Sequence, residues 1–289
     1  MKLTFAKRKR LSGYVFLSPW LLGAIFFLVF PFTFSLILSF SKMNANNFST
    51  VKLAGLINYK KAFVSDVKFL PTFYKVIVDM VINTPMIVIF ALIAAIFVSR
   101  EIKGRGFFRA VFFLPVLLGS GFVMQALLGQ NVQSDAMNVA RGILMPEQLK
   151  LYLGNELTQY ISEFFSRITD VMWSSGVQII ILLAGVQAIP TALYEVARVD
   201  GATEWEMFWK ITLPMMAPIL LLTIVYTIVS SFGKQSEMMD YIISKSFGSD
   251  IPEFTFSAAM GWIYFIFILL VLGLVFLIMR RSVQRVSEN

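Results

Sequence analysis

"YVFLSPWLLGAIFFLVFPFTFSLILSF", residues 14 to 40, decides the solvent in which this chain folds. The run carries no charged side chain, and about 20 helical residues are enough to cross a hydrocarbon core ~30 Å thick. Lys7, Arg8, Lys9 and Arg10 precede it. A signal peptide also opens on positive charge, but its apolar core runs to about 7–15 residues and ends at small side chains. This run is longer and lacks such a site, so a retained spanning helix is expected.

Five further apolar segments follow, near residues 74–98, 107–128, 171–189, 214–232 and 254–279. The expected fold class is therefore an all-α integral membrane protein, a bundle of six transmembrane helices. Pro31 and Pro85 lie inside two of the segments, which a packed bundle tolerates because neighbouring groups satisfy the freed backbone. Composition agrees: 57% of residues are hydrophobic and 15% charged, against about 25% charged in soluble domains. The net charge of +8 sits beside the apolar runs and is read as membrane orientation, not nucleic-acid binding. The chain has no Cys and no His, so disulfides, thiol chemistry and the common zinc and haem ligand sets are excluded.

An even number of spans puts both termini on one side. With that side cytoplasmic, the inner segments hold Lys2, Lys7 to Arg10, Arg100, Lys103, Arg105, Arg109, Arg198, Lys210, Arg280, Arg281 and Arg285, fourteen of the 25 basic residues. They lie close to span ends, where the positive-inside rule counts them. The expected organisation is a basic cytoplasmic N-terminus (1–13), a six-span domain (14–279) and a basic cytoplasmic tail (280–289). The outer segment 130–170 carries Leu149, Leu153, Leu157, Ile161, Phe164 and Ile168 at spacings of three or four, the period of an amphipathic helix. Gly154 and Asn155 are candidate breaks in it. It reads equally as a helix on the membrane surface and as a dock for an external partner.

Between the fourth and fifth spans lies a polar interruption at residues 190–213, "YEVARVDGATEWEMFWKITLPMMAP" from 194 to 218 covering most of it. Leu193, Val196 and Ala197 share one side of a first short helix. Gly201 ends it, because glycine takes positive φ without a Cβ clash. Thr203 with Glu206 has the spacing of a capping box that starts a second helix. Asp200 stands where the negative end of the first helix dipole is unfavourable to an anion, which leaves it to cap the second helix or to meet a partner.

At these residues the chain resembles a known family. Glu195-Val196-Ala197, then Gly201, then Ile211-Thr212-Leu213-Pro214 match the E-A-A-x3-G-x9-I-x-L-P signature of the permease subunits of ATP-binding-cassette importers, with Val196 replacing the second alanine. The stretches at 12–40, 103–115 and 186–205 are similar to the maltose-type carbohydrate permeases. The outer loop before the last span departs from many of them, reading Ser-Phe-Gly-Ser-Asp-Ile-Pro at 246–252 in place of a Gly-Gly-Pro turn.

The resemblance implies a binding-protein-dependent inner-membrane component of a prokaryotic cell that moves a solute and does no chemistry. Its implied partners are a second permease subunit of a different chain, two ATPase subunits, an extracytoplasmic solute-binding protein and membrane lipid, with no nucleic acid. ATP and Mg are then used by the ATPase partners, and this chain binds no cofactor. Glu195, Ala197, Asp200, Gly201, Ile211, Leu213 and Pro214 are the implied ATPase-coupling residues. Consistent with this division, a phosphate-cradling loop reads G-x-x-x-x-G-K-[ST], and the only Gly-Lys pair, Gly233-Lys234, continues as Gln235 with no glycine five residues upstream of Gly233.

Asp79 lies near the outer end of the second span, and intramembrane acids are functional by default. A proton-coupled carrier would exploit it, but without an intramembrane His, Lys or Arg chain it reads as a snorkelling or surface carboxylate. No paired carboxylates or nucleophile–base set supports an intramembrane enzyme, so no catalytic or metal residue is expected. The solute-binding candidates are Asn83, Gln125, Gln178, Tyr226, Ser230 and Tyr264, with Gln187 and Ser231 among the same polar groups. Neutral hydrogen-bonding groups with aromatic faces suit an uncharged, hydroxyl-rich solute, a sugar being the expectation and another polar solute the alternative. Each residue taken alone also reads as an interhelical hydrogen bond.

Overall fold

A computed structural model describes residues 5–44, 47–99, 106, 147–233, 237–248 and 253–287. Helix α1 (Phe5–Ala24) passes through a π turn (Ile25–Val29) into α2 (Phe30–Ser39). Strands β1 (Ser41–Asn44) and β2 (Asn47–Leu53) form a hairpin, followed by α3 (Ile57–Lys60), a π turn (Lys61–Ser65) and α4 (Phe69–Ser99). Next come α5 (Glu147–Ser174), α6 (Gly176–Ala188), α7 (Thr191–Val199), α8 (Glu204–Met207), a π turn (Phe208–Thr212) and α9 (Leu213–Met215). Helices α10 (Ala217–Gly233), α11 (Glu237–Phe247) and α12 (Phe254–Ser287) complete the order.

Three described helices are long and apolar enough to cross a membrane, Gly13–Ser39, Phe69–Ser99 and Phe254–Gln284, and α10 and α11, taken together over Ala217–Phe247, meet the same length and hydropathy. The expected segment 107–128 lies outside the described residues. The segment expected at 171–189 is not one straight helix. It bends by 56° between Glu156–Ser174 and Gly176–Ala188, and the thirteen residues of α6 are too few to span ~30 Å alone. A crossing at this point draws on the upstream helix, part of what the sequence reads as outer loop. The amphipathic helix expected there is present over 147–174, and Gly154 breaks it at φ 76.

The chain divides into two units. In the first, made of 1–76 with 235–269, the end of α2 is tied to the start of the hairpin. Buried Asn58 donates to the carbonyls of Ser39 (3.0 Å) and Ser41 (2.7 Å). The strands are antiparallel, with Ser41 opposite Leu53 and Lys42 opposite Lys52. Trp262 packs on Phe32 and donates to Ser35 Oγ at 3.2 Å. Three polar bridges join segment 61–75 to 237–253: Lys61 with Glu253, Lys75 with Glu237, and the Tyr241 hydroxyl with both Asp66 oxygens. Asp66 Oδ1 also accepts from the Lys68 and Phe69 amides at 3.0 and 2.8 Å, satisfying orphan donors at the start of α4.

The second unit comprises 77–234 with 270–289. Its core joins Ala91, Ala94, Ala95 and Val98 of α4 to Ile179, Leu182 and Leu183 of α6, closed by Ile189 and Met216. Small residues on α4 allow close helix approach, the usual device in membranes. Gly185 does the same on α6, where a Cβ would stand 2.9 Å from Ile219 Cγ2 and from Met216 Sδ. The π turns at 25–29 and 208–212 each stand just ahead of a proline, Pro31 and Pro214. Proline has no N–H to give to the carbonyl four residues back, and the wider turn accommodates the break.

Candidate functional site

The polar loop leaves the second unit's core at buried Ile189 and returns to it at buried Met216. Pro190 stands at the N-cap of α7 with extended backbone, a position where its missing N–H costs nothing. No residue of α7 is buried, and Val199 is 87% exposed. The Tyr194 hydroxyl, 2.9 Å from Thr212 Oγ1, tethers α7 to the far end of the loop.

Gly201 is the corner. Its φ is 79°, the left-handed region that favours glycine. The Gly201 amide donates to the Arg198 carbonyl (3.1 Å) and the Ala202 amide to the Ala197 carbonyl (2.9 Å). These are the paired bonds of a Schellman ending, which satisfy the last carbonyls of the helix. Two residues later Thr203 caps α8. Its Oγ1 accepts from the Glu206 amide at 3.3 Å, while its own amide donates to Glu206 Oε2 at 3.0 Å. The Thr203 amide and hydroxyl, with Lys210 nearby, hold the Glu206 carboxyl below its ordinary value. The turn is thus fixed on both sides by local chemistry that the sequence displays.

The coupling candidates divide by environment. Glu195 and Asp200 are exposed, and neither carboxylate has a partner among the described residues. Thr203 rather than Asp200 caps the second helix, which leaves Asp200 open to a partner. Ala197 contributes a half-buried methyl and the carbonyl of the Schellman bond. Ile211 and Leu213 pack against the core, and Pro214 is exposed. Charged and apolar groups thus share an exposed helix held at a fixed angle, and Ile211 and Leu213 seat the other end of the loop on the core.

The described solute candidates stand in different surroundings. Asn83 Oδ1 accepts from Arg167 at 3.4 Å. Gln178 is 2% exposed and donates to Thr227 Oγ1 at 3.3 Å, the interhelical hydrogen bond that was its alternative reading. Tyr226 and half-buried Ser230 lie four apart on α10 and so share a face. Tyr264 is buried in the first unit, and Gln125 lies outside the described residues. Asp79 is not a lone carboxylate: Arg167 Nη2 stands 3.4 Å from its Oδ1. Asp79 and Asn83, four apart on α4, hold the same guanidinium from one side. The sequence shows that spacing, but nothing in it points to an arginine 88 residues away.

The family model described as "Binding-protein-dependent transport system inner membrane component" matches residues 52–288. The probable ABC transporter permease protein YesP of Bacillus subtilis (strain 168) is 29% identical over 295 residues, covering 96% of this chain and 91% of that protein. The arabinooligosaccharides transport system permease protein AraP of the same organism is 28% identical over 233 residues, covering 78% and 70%. Among solved structures, a bacterial ABC transporter involved in the import of the acidic polysaccharide alginate superposes with a TM-score of 0.66 at 19% identity, covering 95% of this chain and 96% of that one.

Proposed function

Because the chain belongs to the family of binding-protein-dependent transport system inner membrane components, we propose that it forms half of the solute pathway of an ATP-binding-cassette importer for a sugar or oligosaccharide. The observation that carries this reading is the polar loop. Two short helices meet at a glycine of φ 79°, locked by a Schellman ending and a capping box, with no residue of the first helix fully buried. A loop shaped only by solvent has no need of a fixed angle. A loop that transmits force from another subunit does.

In this reading the loop is the coupling element of a six-span bundle, extending over 190–213 within 14–279. Both termini lie in the cytoplasm of a prokaryotic inner membrane. Glu195 and Asp200 meet the ATPase, Ala197 and Gly201 set the shape of the element, and Ile211, Leu213 and Pro214 join it to the fifth span. ATP and Mg belong to two ATPase subunits, and a second permease chain completes the pathway. An extracytoplasmic binding protein delivers the solute. The sugar assignment draws on AraP, whose own solutes are arabinooligosaccharides, and on the uncharged polar side chains of the spans. Asn83 and Gln178 are engaged in bonds within the fold, so the solute contacts of the described chain fall to Tyr226 and Ser230.

Orientation has a direct test, since the chain contains no cysteine. A Ser134→Cys variant should react with an impermeant thiol reagent in intact cells, or in spheroplasts where an outer membrane blocks entry, and a Val199→Cys variant should react only after the membrane is opened. The reverse pattern would turn the loop outward and remove it from any ATPase.

A further inference from the structure

The two arms of the polar loop present different chemistry. Before Gly201, α7 exposes Glu195, Val196 and Val199. Beyond it, Trp205 is 70% exposed and Trp209 49% exposed. Four residues apart, they share one side of the second arm, their rings edge to face with centroids 5.5 Å apart. Phe208 packs edge-on against Trp209 at 5.1 Å and rests on the core. Buried Met207 and Thr212 hold the arm to the body of the second unit.

Two neighbouring indoles left open call for a cover, because exposed apolar patches mark interaction sites. Three observations indicate phospholipid. An indole has an apolar body and one N–H, the combination that concentrates tryptophan where bilayer meets water. The arm runs through Pro214 into the apolar stretch Ala217–Phe247, long enough to span, so Trp209 stands about two and Trp205 about three helical turns ahead of it. The acids that would repel anionic headgroups are paired, Glu204 with Arg198 at 3.5 Å and Glu206 with Lys210 at 3.6 Å.

We propose that Trp205 and Trp209 are an interfacial anchor that seats the second arm of the loop in the phospholipid headgroup layer, leaving the first arm alone to carry the subunit contact. Interfacial helices bury their apolar side roughly 5–10 Å into the headgroup and acyl boundary, a depth that indole rings beside a span can reach. Gly201 then joins a lipid-held arm to a partner-held arm. Displacement of α7 is delivered against a fixed neighbour and passes through Ile211 and Leu213 into the span. This holds whether the transported solute is a sugar or not.

The test uses the full chain, reconstituted with its partner permease in vesicles of phosphatidylcholine and phosphatidylglycerol brominated near the headgroup end of the acyl chains. A Trp205→Phe, Trp209→Phe variant gives the emission of the two residues by difference. That emission should be at least halved by the brominated lipid, little affected by aqueous acrylamide, and unchanged when the ATPase is added. A difference emission indifferent to brominated lipid overturns the proposal. Quenching by acrylamide that the ATPase relieves would assign the rings to the subunit interface instead.

Discussion

Gly201 sets the angle between the two arms of the polar loop. A Cβ there would meet nothing within 4 Å, so the demand for glycine comes from the backbone, whose φ is 79°. Left-handed backbone costs an ordinary L-residue about 1–2 kcal/mol, and a β-branched one is a genuine outlier there. Gly201→Val should therefore insert in the membrane at near-normal levels yet fail to couple, because the angle between the arms is lost. Gly201→Asn, which tolerates this region, should retain most of the function. Solute-stimulated ATP hydrolysis by the pulled-down complex distinguishes the two, and equal activity would remove the angle from the mechanism. This residue was legible in the sequence because its causes are local. A glycine after a short helical pattern, with Thr203 and Glu206 at cap spacing, allows one geometry, and the structure has it. The two neighbouring tryptophans were equally visible, but their exposure depends on which side of the arm packs against the core.

Asp66 is a second residue whose environment makes a prediction. Burial pushes its carboxyl up, but the Tyr241 hydroxyl and the Phe69 and Lys68 amides together outweigh that and hold it below its ordinary value. The stability it contributes is then fully present above the unfolded carboxylate value, about 3.9, and is lost as pH falls through the lower folded value. Thermal unfolding of the detergent-solubilised chain should lose stability as pH falls below about 4. Asp66→Asn should lose less over the same range. Identical profiles would mean that the bonds at Asp66 contribute no stability.

Among the elements, the bent pair α5–α6 departs most from a sequence reading. Hydropathy sees only that 171–189 is apolar; the bend at Ser175 and the extension upstream follow from packing. Arg167 came out of view for the same reason, since it stood in a stretch read as outer loop. Its pairing with Asp79 ties α5 to α4. Both partners are about two-fifths exposed at 3.4 Å, so solvent screening keeps the pair near the range of surface ion pairs, up to about 1 kcal/mol. Arg167→Met should lower the melting temperature slightly, and the charge swap Asp79→Arg with Arg167→Asp should recover part of the loss. A swap no better than either single change would show that the pair acts on something other than the fold.

At the scale of the whole molecule, the chain belongs to a family of transport subunits, and the proposal is that a separate ATPase drives it. Its sequence carries no G-x-x-x-x-G-K-[ST] run, and its polar loop is held at a fixed angle at Gly201. An ion-coupled carrier would have to draw its energy through groups inside the spans. There the described chain offers Asp79, already paired with Arg167. The central claim is that import is powered through the polar loop by a separate ATPase. The most direct measurement is uptake of labelled arabinooligosaccharides and maltooligosaccharides into vesicles holding this chain, its partner permease, the binding protein and the ATPase. The prediction is accumulation that requires ATP on the ATPase side, vanishes with Gly201→Val and is absent when the ATPase is left out. Accumulation by this chain without ATPase, driven by a proton gradient and abolished by Asp79→Asn, would contradict the account.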